Sequence, residues 1–113
     1  MSRVLVVSAT ACWLVNCTLG LGVATGTLDT SRARWIHHAA YAATAGLTAA
    51  AGLVLAVRRD RAVVRLLPAA LPLAAIPFVP ARTAGHAALG ASLAPAYAAT
   101  LWAVRGRRPD RPA

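Results

Sequence analysis

The side chains that could do chemistry in this sequence are few and unevenly placed. Three histidines occur, His37 and His38 side by side and His86 far downstream. Neutral imidazole ligates haem or a transition metal and titrates near neutral pH, so His37 or His38 with His86 is the candidate cofactor-binding set, with haem the cofactor it suits. Tyr41 and Thr44 follow the first pair at helical spacing, and Tyr97 follows His86 in a similar way. Asn16 stands alone as an amide inside a long apolar run. Cys12 and Cys17 are five residues apart, which on a helix points them about 140° away from each other. No CxxC or zinc spacing includes them, so they read as small apolar fillers. Motifs such as GxSxG and HExxH are absent, as are paired carboxylates. No catalytic residue and no metal site is expected, and the chain reads as a non-enzyme without an obligatory cofactor.

The elements that position these residues follow from composition. The chain has 113 residues, enough for one domain. It is 58% hydrophobic and 13% charged, where a soluble domain carries about 25% charged residues. A small soluble domain has a large surface to cover with polar groups. Here lipid must take the apolar surface instead. Uncharged or nearly uncharged runs cover about 4–25, 36–57, 62–80 and 84–104, each near the 20 residues that cross about 30 Å of hydrocarbon. The expected fold is an all-α membrane protein, a four-transmembrane-helix bundle formed by residues 1–104, with a basic tail over 105–113. The first run reads as a retained helix, since no A-x-A site closes it as a signal peptide would. The third run contains Pro68, Pro72 and Pro77, each of which removes a backbone donor and invites a kink. A re-entrant hairpin is the alternative there, and it would leave an odd number of spans.

The net charge of +9 comes entirely from twelve arginines set against Asp29, Asp60 and Asp110. A nucleic-acid module gathers its basic residues on one surface with polar or aromatic contacts among them. These arginines fall in short clusters between apolar runs, so the expected electrostatic partner is a bilayer with anionic headgroups, not nucleic acid. Four spans with both ends inside place Arg3, Arg58, Arg59, Arg61, Arg65, Arg105, Arg107, Arg108 and Arg111 on one side. Only Arg32, Arg34 and Arg82 lie on the other. That bias predicts a multi-pass cell-membrane protein with both termini cytoplasmic.

Helical spacing then sorts the faces. On the second run His38, Ala42, Ala45, Ala49, Gly52 and Ala56 form a small-residue stripe, expected to be buried against another helix. His37, Tyr41, Thr44 and Thr48 form a polar stripe that should avoid lipid, with Ile36, Leu47, Val54 and Val57 opposite. The fourth run repeats the pattern, with His86, Gly90, Leu93, Tyr97 and Thr100 beside Ala84, Ala87, Ala91, Ala94 and Ala98, and with Pro95 bending it. The runs also share HAA at 38–40 and 86–88, and AVR at 56–58 and 103–105, a weak sign of duplication. Asn16 is expected to bond across helices. Trp13 reads as packing or lipid contact, and Trp35 and Trp102 as interfacial anchors.

The whole chain resembles small alanine- and arginine-rich four-span integral membrane proteins of unknown function from high-GC bacteria, a likeness of composition that implies no mechanism. Length and span count are similar to the small multidrug resistance exporters, but those rely on an acid in the first helix where this chain has Asn16. Small fluoride channels are also similar in size, yet their phenylalanine pair cannot be met by Phe78, the one phenylalanine here. No acid lies within any span, which removes the usual titrating carboxylate of a coupled carrier. The first functional reading is an accessory or structural subunit packing against itself, as a homo-oligomer, or against a larger membrane partner. The second is a small-solute carrier or channel, and the third a haem- or metal-binding redox subunit using His37 or His38 with His86. The topology has a direct test. Reporter fusions after Arg61 and at the C-terminus should both read cytoplasm and one after Thr30 exterior; an exterior C-terminus would restore the re-entrant third segment.

Overall fold

The computed structural model describes residues 2–26, 34–79 and 84–106. The secondary structure among them is helical throughout, in four helices: α1 (Ser2–Ala24), α2 (Arg34–Val57), α3 (Ala62–Phe78) and α4 (Ala84–Arg105). α1, α2 and α4 are long and apolar enough to cross a membrane, while α3 is a shorter apolar helix. Asp29, Arg32 and Arg82, and the tail from Arg107 with Asp110, lie outside the described residues.

Local chemistry sets where each helix stops. Gly26 closes α1 with a left-handed φ of 78°, and its N–H bonds the Val23 carbonyl at 3.2 Å. A residue without Cβ takes that conformation at little cost. α2 ends in the same kind of cap with a less favoured residue. Arg59 has φ 54°, its N–H bonds Ala56 at 2.9 Å, and the Asp60 N–H bonds Leu55 at 2.8 Å. These are the paired bonds of a Schellman turn. A left-handed non-glycine residue costs roughly 1–2 kcal/mol. Asp60 then starts α3, its buried Oδ1 accepting the Ala62 N–H at 2.9 Å. One aspartate joins two helices across a turn otherwise made of arginines.

α3 shows what prolines do to a helix in apolar surroundings. It alternates α-helix at Ala62–Leu66 and Ala70–Ala75 with 3₁₀ turns at Leu67–Ala69 and Ile76–Phe78, each with a proline in second place. The 3₁₀ turns rise about 2.0 Å per residue, so the segment extends to about 28 Å, close to a hydrocarbon thickness. It stops at Phe78, short of the expected residue 80. Val79 is extended at φ −111° and ψ 127°, as a residue ahead of proline should be. Pro77 has no N–H to give the Leu73 carbonyl four residues earlier. Tyr41 of α2 donates its hydroxyl to that carbonyl at 2.5 Å. A neighbouring helix thus repairs the break.

Pro95 is expected to bend α4, and the structure shows a break in the helix beside it. The α-helix is interrupted at Leu93 and resumes at Ala94, one residue before Pro95. Among the four helices α1 packs most extensively on α2, α4 packs on α1 and α3, and α3 touches α2. α2 and α4 meet across the middle, where the Thr48 and Tyr97 hydroxyls lie 2.7 Å apart. Val6, Leu55, Leu93, Tyr97, Thr100 and Val104 are the largest fully buried side chains. They gather toward the end where α1 begins and α4 finishes. The first half of α4, Ala84–Ser92, buries no residue.

The outer surface is apolar. Leu14, Val15, Leu21 and Leu53 are exposed, and Leu71 and Phe78 are 81% and 87% exposed. Trp35 and Trp102 stand exposed near helix ends. Water would penalise such a surface, and lipid would not.

One expectation fails within the single chain. The small-residue stripe of α2 is not its inner face: His38, Ala42, Ala49 and Ala56 are exposed, and Ala45 and Gly52 only half-buried. The inner face is the neighbouring stripe, with Thr44, Thr48, Ala51 and Leu55 buried. Hydroxyls gain partners inside and find none in hydrocarbon, whereas alanine is at ease in either place. In α4, likewise, Leu93, Tyr97, Thr100 and Val104 face inward, while Ala84, Ala87, Ala91 and Ala98 face outward.

Removing the Tyr41 hydroxyl should therefore leave the Leu73 carbonyl without a partner. Tyr41→Phe is expected to cost about 1–3 kcal/mol in reversible unfolding from detergent micelles. In a Pro77→Ala background, which restores the missing N–H, the same change should cost clearly less. An equal cost in both backgrounds would contradict the repair.

Candidate functional site

The polar groups of the interior converge on a centre shared by α1, α2 and α4. Asn16 is half-buried on α1. Its Nδ2 lies 2.8 Å from the Ala40 carbonyl, 2.6 Å from Thr44 Oγ1 and 3.2 Å from the Cys12 carbonyl. Thr44 in turn donates to the Ala40 carbonyl at 2.9 Å. Amide, hydroxyl and carbonyl form a closed triangle across the α1–α2 seam. The expected interhelical role of Asn16 is thus what its contacts describe.

One turn further along, Thr48 Oγ1 is 2.6 Å from the Thr44 carbonyl. Its single proton points there, so the Tyr97 hydroxyl donates to Thr48 across their 2.7 Å contact. Tyr97 is 1% exposed, and its ring packs on Trp13 with centroids 5.5 Å apart and planes tilted by 38°. Trp13 donates its indole N–H to the Gly90 carbonyl at 2.8 Å, just ahead of the interruption at Leu93. The proline-weakened turn of α4 is thereby tied to α1.

The remaining buried threonines turn inward on their own helices. Thr10 bonds the Val6 carbonyl at 2.8 Å and Thr100 the Ala96 carbonyl at 2.7 Å, each four residues back. Such bonds let a threonine pack as a small branched filler. In the centre the donor chain runs from the Tyr97 phenol through Thr48 and from the Asn16 amide through Thr44, and it ends on backbone carbonyls. Its chemistry is cohesive: it fixes rotation and register of three helices.

Of the site residues the sequence suggests, Asn16, Thr44 and Tyr97 belong to this centre. Tyr41 lies apart, on the α2–α3 seam. The histidines lie toward the other end of the helices. His38 is exposed and His37 and His86 are half-buried. His86 Nδ1 lies 3.2 Å from the Val79 carbonyl, to which it can only donate. α2 and α4 run parallel, and the Thr48–Tyr97 contact joins residues 49 apart. His37 and His86 have the same separation in sequence. Among the described residues no three histidine, cysteine or acidic side chains gather as a metal site would require.

Trp13 and Thr48 belong to the centre without being marked as site residues by the sequence. Trp13 sits three residues before Asn16, on the same helix face. An indole N–H beside an amide on one face is a sign of burial that apolar counting overlooks. Thr48 stands in the polar stripe of α2, and only its contact with Tyr97 gives it a part beyond that stripe.

Double-mutant cycles should resolve the centre. Asn16→Ala with Thr44→Val, and Thr48→Val with Tyr97→Phe, are each expected to show coupling of about 0.5–1.5 kcal/mol, the scale of interhelical hydrogen bonds in membranes. Asn16→Ala with the exposed Thr18→Val should be additive. Additivity in all three pairs would remove the centre's role.

No protein-family model, no curated protein and no solved structure matches the chain.

Proposed function

We propose that this chain is a four-pass membrane subunit, with both ends on the cytoplasmic side, that assembles with itself or with a larger membrane protein. It carries no chemistry of its own in this reading. One observation supports it above the others: the stripes best suited to close helix contact point outward. Ala42, Gly46, Ala49 and Ala56 of α2 are exposed, and a Cβ placed on Gly46 would meet nothing within 4 Å. Ala84, Ala87, Ala91 and Ala98 of α4 are exposed as well. Small residues let backbones approach until dispersion contacts accumulate, which is the main attraction available between helices in lipid. α2 and α4 are diagonal in the bundle, so the subunit presents two such faces on different sides.

The interior favours this reading over a carrier. Its polar side chains bond one another and nearby carbonyls, and Leu55, Leu93 and Tyr97 fill the space between. The arginine bias and the turn of Arg58, Arg59 and Arg61 support a cytoplasmic location for the end that also bears Arg3 and Arg105.

A photo-crosslinking residue at position 49 should yield discrete adducts in native membranes, either with a second copy or with another membrane protein. The same residue at Leu53, exposed on a bulkier face, should not. Ala49→Leu should abolish association while leaving the unfolding midpoint of the single chain in detergent unchanged. Adducts equally abundant from both positions, or loss of the fold in Ala49→Leu, would overturn the reading.

A further inference from the structure

The start of α1 and the end of α4 enclose a groove of about 210 Å³. Its lining combines the apolar Val7, Ala98, Leu101 and Val104 with Arg3, Trp102 and Arg105. Arg105 is stacked on Trp102, with Cζ 3.5 Å from the ring centroid. A guanidinium stacked in this way has its face covered, while its N–H groups point outward along its edges. Those edges form the fork that grips a phosphate with two parallel bonds. The stack also holds the fork in place, so less rotamer freedom is lost on binding. Arg3 supplies a second cation on the same groove. Two cations beside an apolar lining complement an anion that carries an apolar chain. A soluble phosphate would leave that lining unused.

We propose that this groove binds one anionic glycerophospholipid, with the phosphate held between Arg3 and Arg105 and the first stretch of acyl chain on Val7, Ala98 and Leu101. The site rests on the four-pass reading, which places these residues at the cytoplasmic boundary. Basic pockets between helices at that boundary are suited to anionic headgroups. Trp102 contributes by fixing Arg105 and by covering the glycerol region with an amphipathic ring. The groove takes part of a lipid, the headgroup and upper chain, and leaves the remaining chain along the exposed apolar surface of the bundle.

The test is native mass spectrometry of the full chain released from micelles doped with phosphatidylglycerol, or with phosphatidylcholine of identical chains, beside a titration with glycerol 3-phosphate. Wild type should retain one phosphatidylglycerol per chain and prefer it to phosphatidylcholine. The Arg3→Gln/Arg105→Gln variant should lose about tenfold or more in that retention, the scale that two arginine–phosphate contacts imply. Arg58→Gln, at the same end but outside the groove, should retain the lipid like wild type. Circular dichroism checks that each variant keeps its helices. Equal retention by wild type and the double variant, or no preference between the two lipids, would overturn the site. Binding of glycerol 3-phosphate as tight as that of the lipid would replace it with a soluble-phosphate site. Extraction of the chain from membranes by alkaline carbonate would instead overturn the four-pass reading, so the two failures are distinguishable.

Discussion

A polar backbone or side-chain group in apolar surroundings must find a partner, and the way these four helices bond one another follows from that constraint. Pro77 takes the donor from Leu73, and Tyr41 replaces it from the next helix. In α4 the helix breaks just before Pro95, and the Gly90 carbonyl of that turn takes the Trp13 indole N–H at 2.8 Å beside a longer bond from the Leu93 N–H at 3.4 Å. Each of these bonds demands a particular side chain at a particular height on a neighbouring helix. Tyr41 therefore fixes α2 against α3, and Trp13 fixes α1 against α4. The prolines that weaken individual helices thus specify how the helices sit together.

The same constraint decides which face of α2 turns inward. In water the hydrophobic effect would sort the faces, but in the proposed lipid setting an alanine or leucine gains little by leaving the acyl chains. A hydroxyl or amide has much more to gain. Asn16, Thr44, Thr48 and Tyr97 consequently occupy the interior and bond one another there. The alanine stripes are left outside. What looks like a packing seam within one chain becomes a surface suited to another chain, which links the internal arrangement to the proposed assembly.

The helical class and the four segments were legible in the sequence, because charge-free runs and arginine clusters alternate so plainly. Helix ends agree with the runs to within about two residues, the usual scatter of helix boundaries. The kinked character of the third segment could be read from Pro68, Pro72 and Pro77, though not its lengthening by 3₁₀ turns. Asn16 as a cross-helix bond was legible, since an amide in hydrocarbon has few other options. The inner face of α2 was only half legible. Its polar stripe was correctly kept from lipid, but the adjacent alanine stripe was assigned to the same interior, and one helix cannot bury both in a bundle this small. Trp13 was read as packing or lipid contact, and it does pack against the core, but its bond to Gly90 was not legible because an indole serves equally as packing, anchor or donor. Its role depends on where a carbonyl is exposed, which is a property of another helix.

The claim that the polar seam rather than the alanine seam is internal can be measured along α2 itself. Nitroxide labels placed singly from position 41 to 56, in nanodiscs holding one copy each, report collision with oxygen dissolved in the acyl chains. Accessibility is predicted to fall at 44, 48, 51 and 55, the buried positions, and to peak at 42, 49, 53 and 56, the exposed ones. Minima at 45, 49, 52 and 56 would put the alanine seam inside and contradict the account.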